Sequence, residues 1–145
     1  MAEPAAGLLS NEDCMQYSSI FIKEIVDKVQ DEYFSVILHN CGNTGNCTAA
    51  MVYTGSAGYH FGNKIDMADA LKEVPSRTLA MGNLDPVSIF KSASAEEVRR
   101  ATLALLEVTK AYPNFVLSSG CDTPPHTPVE NIDAFFDALK EFNNA

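Results

Sequence analysis

The chain has 145 residues, 46% of them hydrophobic and 20% charged, proportions of an ordinary single globular domain and unlike those of a disordered tail or a collagen-like repeat. Ten Lys and Arg against nineteen Asp and Glu leave a net charge of −9, which repels nucleic acid and anionic membrane surfaces, and no basic patch offsets it. No apolar run approaches the roughly 20 residues of a membrane helix, and the opening MAEPAAGLLS lacks the charged n-region of a signal peptide, so a cytoplasmic protein is expected. The four cysteines, Cys14, Cys41, Cys47 and Cys121, are too few and too scattered for a disulfide lattice and read as thiols.

Ser10 and Asp13 have capping-box spacing ahead of Ile22, Ile25, Val26 and Val29, which predicts a helix from about residue 11 to 30. Residues 35–38 (SVIL) predict a strand that runs into the polar loop HNCGNTGNC. Residues 48–53 predict a short helix closed by Gly55, residues 58–61 a strand, residues 67–74 a helix before Pro75, and residues 78–81 a third strand. Asp85 before Pro86 reads as the cap of a short helix through Phe90. Ser94 with Glu97 caps a helix whose stripe is Val98, Ala101, Leu105 and Val108, and residues 115–118 form the next strand. Thr127, Pro128 and Glu130 start a last helix, residues 128–142, with Ile132, Phe135, Phe136 and Leu139 on one face. Four strands alternating with helices define an α/β class with a parallel sheet. Its polar, cysteine-bearing loops follow the strands, where such sheets place their sites.

His39 and Cys41 straddle one residue, so in extended backbone both side chains point to the same face. Cys121, in SSGCD after the fourth strand, belongs to the same rim of a parallel sheet. One imidazole and two thiolates suit zinc and leave a fourth tetrahedral position open; the spacing alone favours a partly buried His beside two structural thiols. Cys47 competes as a ligand but falls where the following helix starts, and Cys14 reads as packing. His60 in GYHFGN and His126 in CDTPPHTP read either as substrate contacts on the rim or as hydrogen-bonded structural residues. No GxGxxG, GxxxxGK[ST], GxSxG or HExxH occurs, so nucleotide, serine-hydrolase and zincin chemistries have no motif to stand on.

The strings HNCGNT, MGNLDP and SSGCDTPPHTPVENIDAFFDA together resemble the C-terminal half of the uroporphyrinogen decarboxylase superfamily. They are closest to its corrinoid-dependent branch, the methylcobalamin:coenzyme M-like methyltransferases. The resemblance spans nearly the whole chain and implies a TIM barrel in which His39, Cys41 and Cys121 hold zinc. It implies that the zinc lowers the pKa of a small thiol, which takes a methyl group from methylcobalamin, free or on a corrinoid carrier protein. Decarboxylases of the superfamily are similar at GNLDP but place a His where Cys121 stands and do not need zinc. His60 and Cys47 fall outside the pattern carried over.

A complete barrel takes about 250 residues, and this chain supplies four βα units, so the resemblance implies a half-barrel. Its open edges predict a homo-oligomer or a missing N-terminal half, the chain being either a truncated piece or a natural half-protein. The alternatives are a metal-free decarboxylase relative and a non-catalytic half-barrel assembly module.

Overall fold

The computed structural model describes residues 1–144. Four strands, β1 (Ile37–Asn40), β2 (Gly58–Phe61), β3 (Leu79–Leu84) and β4 (Phe115–Ser119), pair in parallel and in chain order, β1-β2-β3-β4. Each crossover carries a helix: α3 (Thr48–Tyr53), α4 (Met67–Glu73) and α5 (Ala95–Thr109). Before the sheet come α1 (Asn11–Cys14) and α2 (Ile20–Val29), joined through a π-helical stretch at Met15–Ser19, and α6 (Val129–Asn143) follows it. This is the arrangement the alternation predicted, a partial TIM barrel.

The register aligns His39 with His60, His60 with Met81, and Met81 with Val116. Because side chains alternate along a strand, this row lies on one face, and its neighbours Leu38, Tyr59, Phe61 and Ala80 lie on the other, all buried beneath the helices. A second core cluster, Leu84, Phe90, Val98 and Phe135, closes the β3–β4 end. On the first face Leu79 and Val116 remain 44% and 39% exposed, so nothing within the described residues covers it. The chain start runs beside β1: the His39 amide donates to the Met1 carbonyl at 2.8 Å and the Glu3 amide to the His39 carbonyl at 2.9 Å.

Several boundaries differ from the sequence reading. β1 begins and ends two residues later than expected, because His39 and Asn40, polar in sequence, pair with β2 through their backbones. β3 continues through Gly82 and Asn83, which pair with β4. A 3₁₀ turn at Pro4–Leu8 had no forecast. The buried stripe of α5 is Val98, Thr102, Leu106 and Thr109, and Val108 is exposed. The two threonines tolerate burial because their hydroxyls donate to the Val98 and Leu105 carbonyls at 2.8 Å. On α6 the inward residues are Asn131, Phe135 and Ala138, with Phe136 turned out; the Asn131 amide donates to the Phe90 and Ala93 carbonyls. Ile25 and Val29 of α2 stay partly exposed and line an apolar recess with Phe34 and Ile37. Thr127 does not cap α6; its hydroxyl donates to the Pro124 carbonyl, and Pro128 holds the cap position.

The forecast cap at Asp85 forms: one carboxylate oxygen accepts from the Val87 and Ser88 amides at 2.8 and 2.9 Å, starting the π-helical turn Pro86–Lys91. The other accepts from the Asn63 amide group at 2.8 Å, tying the β2 loop to the end of β3. Burial opposes ionisation of this carboxyl, but the amides of Ser88 and Val87 outweigh it and its pKa is lowered. A carboxylate with a lowered folded-state pKa contributes stability at pH above its unfolded value of about 3.9, lost as pH falls through the folded one. Asp85→Ala is therefore expected to cost about 1 kcal/mol at neutral pH. The gap between the two proteins narrows below about pH 4, as urea midpoints across pH will show; a gap independent of pH would contradict the cap.

Candidate metal centre

His39 sits inside β1 with its Nδ1 3.1 Å from the His60 carbonyl. A carbonyl only accepts, so Nδ1 carries a proton and Nε2 is the nitrogen left to face a metal. Cys41 is one residue beyond the strand. There the Asn40 side-chain oxygen accepts from the Gly42 and Asn43 amides, and the Asn43 oxygen accepts in turn from the Gly45 and Cys47 amides. These nested turns fold the chain sharply after Asn40. The backbone of Cys41 then lies against Gly62 so closely that a Cβ on Gly62 would stand 2.4 Å from the Cys41 carbonyl oxygen.

Cys121 follows β4, where the Gly120 amide donates to the Leu84 carbonyl at 2.7 Å and the Ser119 hydroxyl to the Cys121 carbonyl at 2.7 Å. Three steps of about 4.8 Å separate β1 from β4 in a flat sheet, roughly 14 Å in all. Yet Cys121 Sγ lies 3.6 Å from His39 Nε2. The sheet curls and the β4 loop folds inward, as a barrel wall does.

The ligand atoms of His39, Cys41 and Cys121 all lie within 4.8 Å of one another, and all three residues are half-buried. Tetrahedral zinc, with Zn–N of about 2.0–2.1 Å and Zn–S of about 2.3 Å, places N and S about 3.6 Å apart. The three residues fit that ion without rearrangement of the His39–Cys121 pair, and they form the one such cluster found among the described residues. His39 and Cys121 line a cavity of about 490 Å³ whose walls also include Ile37, His60, Met81, Ser118 and Asp122.

His60 is on the cavity wall, as the sequence suggested. Its Nε2 lies 2.7 Å from the Ser119 carbonyl and 3.2 Å from the Ser118 hydroxyl. Burial pushes this imidazole down in pKa, the Ser119 carbonyl opposing it, so the ring is neutral with its proton on Nε2. That proton is committed to a carbonyl, so His60 cannot act through Nε2 as a base toward Ser118, and a serine nucleophile is not assembled here. His126 is exposed in the loop between β4 and α6 and is not among the residues lining the cavity.

Cys47 is not brought to the cluster. It is fully buried beside Ala6, Cys14 and Ala50, its thiol directed at the Ala6 and Leu9 carbonyls at 3.2 and 3.3 Å. Burial first, and nearby Cys14 second, push this thiol up to about 11, so it stays protonated at neutral pH and serves as packing. Cys14 is buried in the same cluster. Gly62 and the serine pair at 118–119 were absent from the sequence reading; only the pairing of β2 with its neighbours reveals them.

A family profile described as uroporphyrinogen decarboxylase (URO-D) matches residues 1–142. The chain belongs to the uroporphyrinogen decarboxylase family. It is 30% identical over 135 residues to the methylcobamide:CoM methyltransferase MtbA of Methanosarcina acetivorans, covering 93% of this chain and 38% of that protein. It is 26% identical over 137 residues to the uroporphyrinogen decarboxylase of Solibacter usitatus, covering 94% and 39%. Among solved structures, a methyltransferase from Methanosarcina mazei superposes with a TM-score of 0.84 at 23% identity, over 99% of this chain and 41% of that one. The chain thus spans about two fifths of the length of these relatives. No helix among the described residues is long and apolar enough to cross a membrane.

Proposed function

We propose that this chain carries the zinc site of a corrinoid-dependent methyltransferase, transferring a methyl group from methylcobalamin to a small thiol. The observation that carries this reading is the convergence of one imidazole nitrogen and two thiol sulfurs, from two strand ends, within 4.8 Å of one another. When bound, the zinc supplies the positive charge that lowers the pKa of the acceptor thiol, and the corrinoid supplies the methyl group. The chain's own residues prepare that chemistry. His39 presents its Nε2 because its Nδ1–H is held by the His60 carbonyl. Cys41 and Cys121 offer soft sulfur donors that select zinc over magnesium or calcium. His39 and Cys121 line the cavity, where Ile37 and Met81 give an apolar wall and Asp122 a carboxylate; a zinc ion held by three protein ligands would keep one position for the acceptor thiol.

The similarity to MtbA supports the corrinoid reading. Four free cysteines suit the reducing cytoplasm, and a corrinoid or its carrier protein is the macromolecular partner. His126 is retained as a substrate contact only through movement of its loop. Further barrel strands cover the exposed face of the sheet in the working enzyme. The uroporphyrinogen decarboxylases among the relatives support a second reading, a decarboxylase that uses no metal.

Zinc titration separates the two. The chain is expected to bind one zinc ion, and, with the complementing part of the barrel supplied, to consume methylcobalamin in the presence of thiols, followed by its visible absorption. Full turnover after metal removal by a chelator would overturn the reading.

A further inference from the structure

We infer that His60 is a positioning residue for the metal centre, a cross-sheet brace that holds the Cys121 loop at ligand distance from His39 and Cys41. The inference rests on the metal-binding reading above. His60 stands on β2, and β3 separates it from β4 in the sheet. Two strand spacings amount to roughly 10 Å in a flat sheet, more than one imidazole spans. The His60 ring nevertheless reaches the Ser119 carbonyl at 2.7 Å. That bond exists only while the sheet is curled, and it opposes flattening.

The contacts on either side of His60 lead to the ligands themselves. Toward β1, its ring lies 4.6 Å from the His39 ring, tilted by 34°, and its own carbonyl holds His39 Nδ1. Toward β4, Ser119 is one end of the brace and, through its hydroxyl, holds the Cys121 carbonyl at 2.7 Å. One side chain therefore joins the imidazole ligand to the loop of the second thiol. Without the brace the Cys121 loop keeps only the Gly120 amide bond to the Leu84 carbonyl and the packing of Gly120 against Asn63 to hold it at the rim, and more of the entropy of gathering the ligands falls on the metal. Ligand-orienting partners of this kind affect metal affinity by about 10–100-fold.

The test titrates Co²⁺ alone into the whole chain under reducing, anaerobic conditions, following thiolate-to-cobalt charge transfer and the d–d bands. The metal-free melting temperature is recorded in parallel. His60→Ala, and His60→Leu, which keeps the volume without a donor, are expected to weaken Co²⁺ binding by about 10–100-fold and to alter the d–d bands. His60→Gln keeps an N–H within reach of the Ser119 carbonyl and is expected to restore most of the affinity and the parent spectrum. Parent affinity and spectrum in the Ala and Leu variants would overturn the proposal, as would a loss in the Gln variant equal to theirs. A parent chain that binds no Co²⁺ overturns the metal reading and this inference with it. Parent binding with unaffected variants overturns this inference alone.

Discussion

Cys121→Ser is expected to bind zinc about two orders of magnitude more weakly than the parent chain while keeping its helices. Structural zinc sites with four protein ligands are worth about 10–16 kcal/mol, roughly 3 kcal/mol for each ligand, and about 1.4 kcal/mol corresponds to a factor of ten. A serine hydroxyl does not replace the thiolate, because it stays protonated and is a harder donor. Cys121 lies two residues past β4, half-buried and outside every helix, so little of the fold depends on its sulfur. Competition with a chromophoric chelator reads the affinity and far-ultraviolet circular dichroism the helices. A variant with full zinc occupancy and unchanged affinity removes Cys121 from the ligand set.

Gly62→Ala strikes the same centre from beneath. The added methyl group would lie 2.4 Å from the Cys41 carbonyl oxygen and 2.6 Å from its Cα, about 1 Å inside ordinary contact. Both atoms are backbone, so no rotamer change relieves the clash, and the Cys41 turn moves away from the strand. Overpacking of this kind costs about 1–3 kcal/mol, and displacement of a ligand-bearing turn weakens the metal by about 10–100-fold, as loss of a supporting contact does. Urea midpoints and zinc competition measure the two effects separately. Parent values in both would show that the turn carrying Cys41 is free to adjust, and that its position is not set by β2.

The strand order was legible in the sequence because it depends on short-range pattern, apolar runs of four or five residues alternating with amphipathic segments. The capping residues Ser10, Asp85 and Ser94 were legible for the same reason, each bonding amides two or three positions ahead. The grouping of His39, Cys41 and Cys121 was legible through the family resemblance, since Cys121 is 82 positions from His39 and Cys41 lies in a turn just past β1. What failed depended on tertiary partners. β1 reaches Asn40 because β2 satisfies its backbone, although side-chain polarity marks His39 and Asn40 as loop. Thr102 and Thr109 enter the core of α5 by bonding within their own helix, so hydropathy undercounts that face. Thr127 had all the marks of a cap, and a turn with Pro124 claimed its hydroxyl. His60 was visible as a residue but not as a brace, since its partner Ser119 is 59 positions away.

The span from His39 to Cys121 is 82 positions, and every strand of the sheet lies between or at those two points. No shorter part of the chain contains the cluster: a segment that has folded only β1, α3 and β2 holds His39 and Cys41 without Cys121. Closing so long a loop is the slowest kind of contact to form. An ion held by these three residues would therefore be captured only after β4, the fourth strand of this sheet, has reached its place.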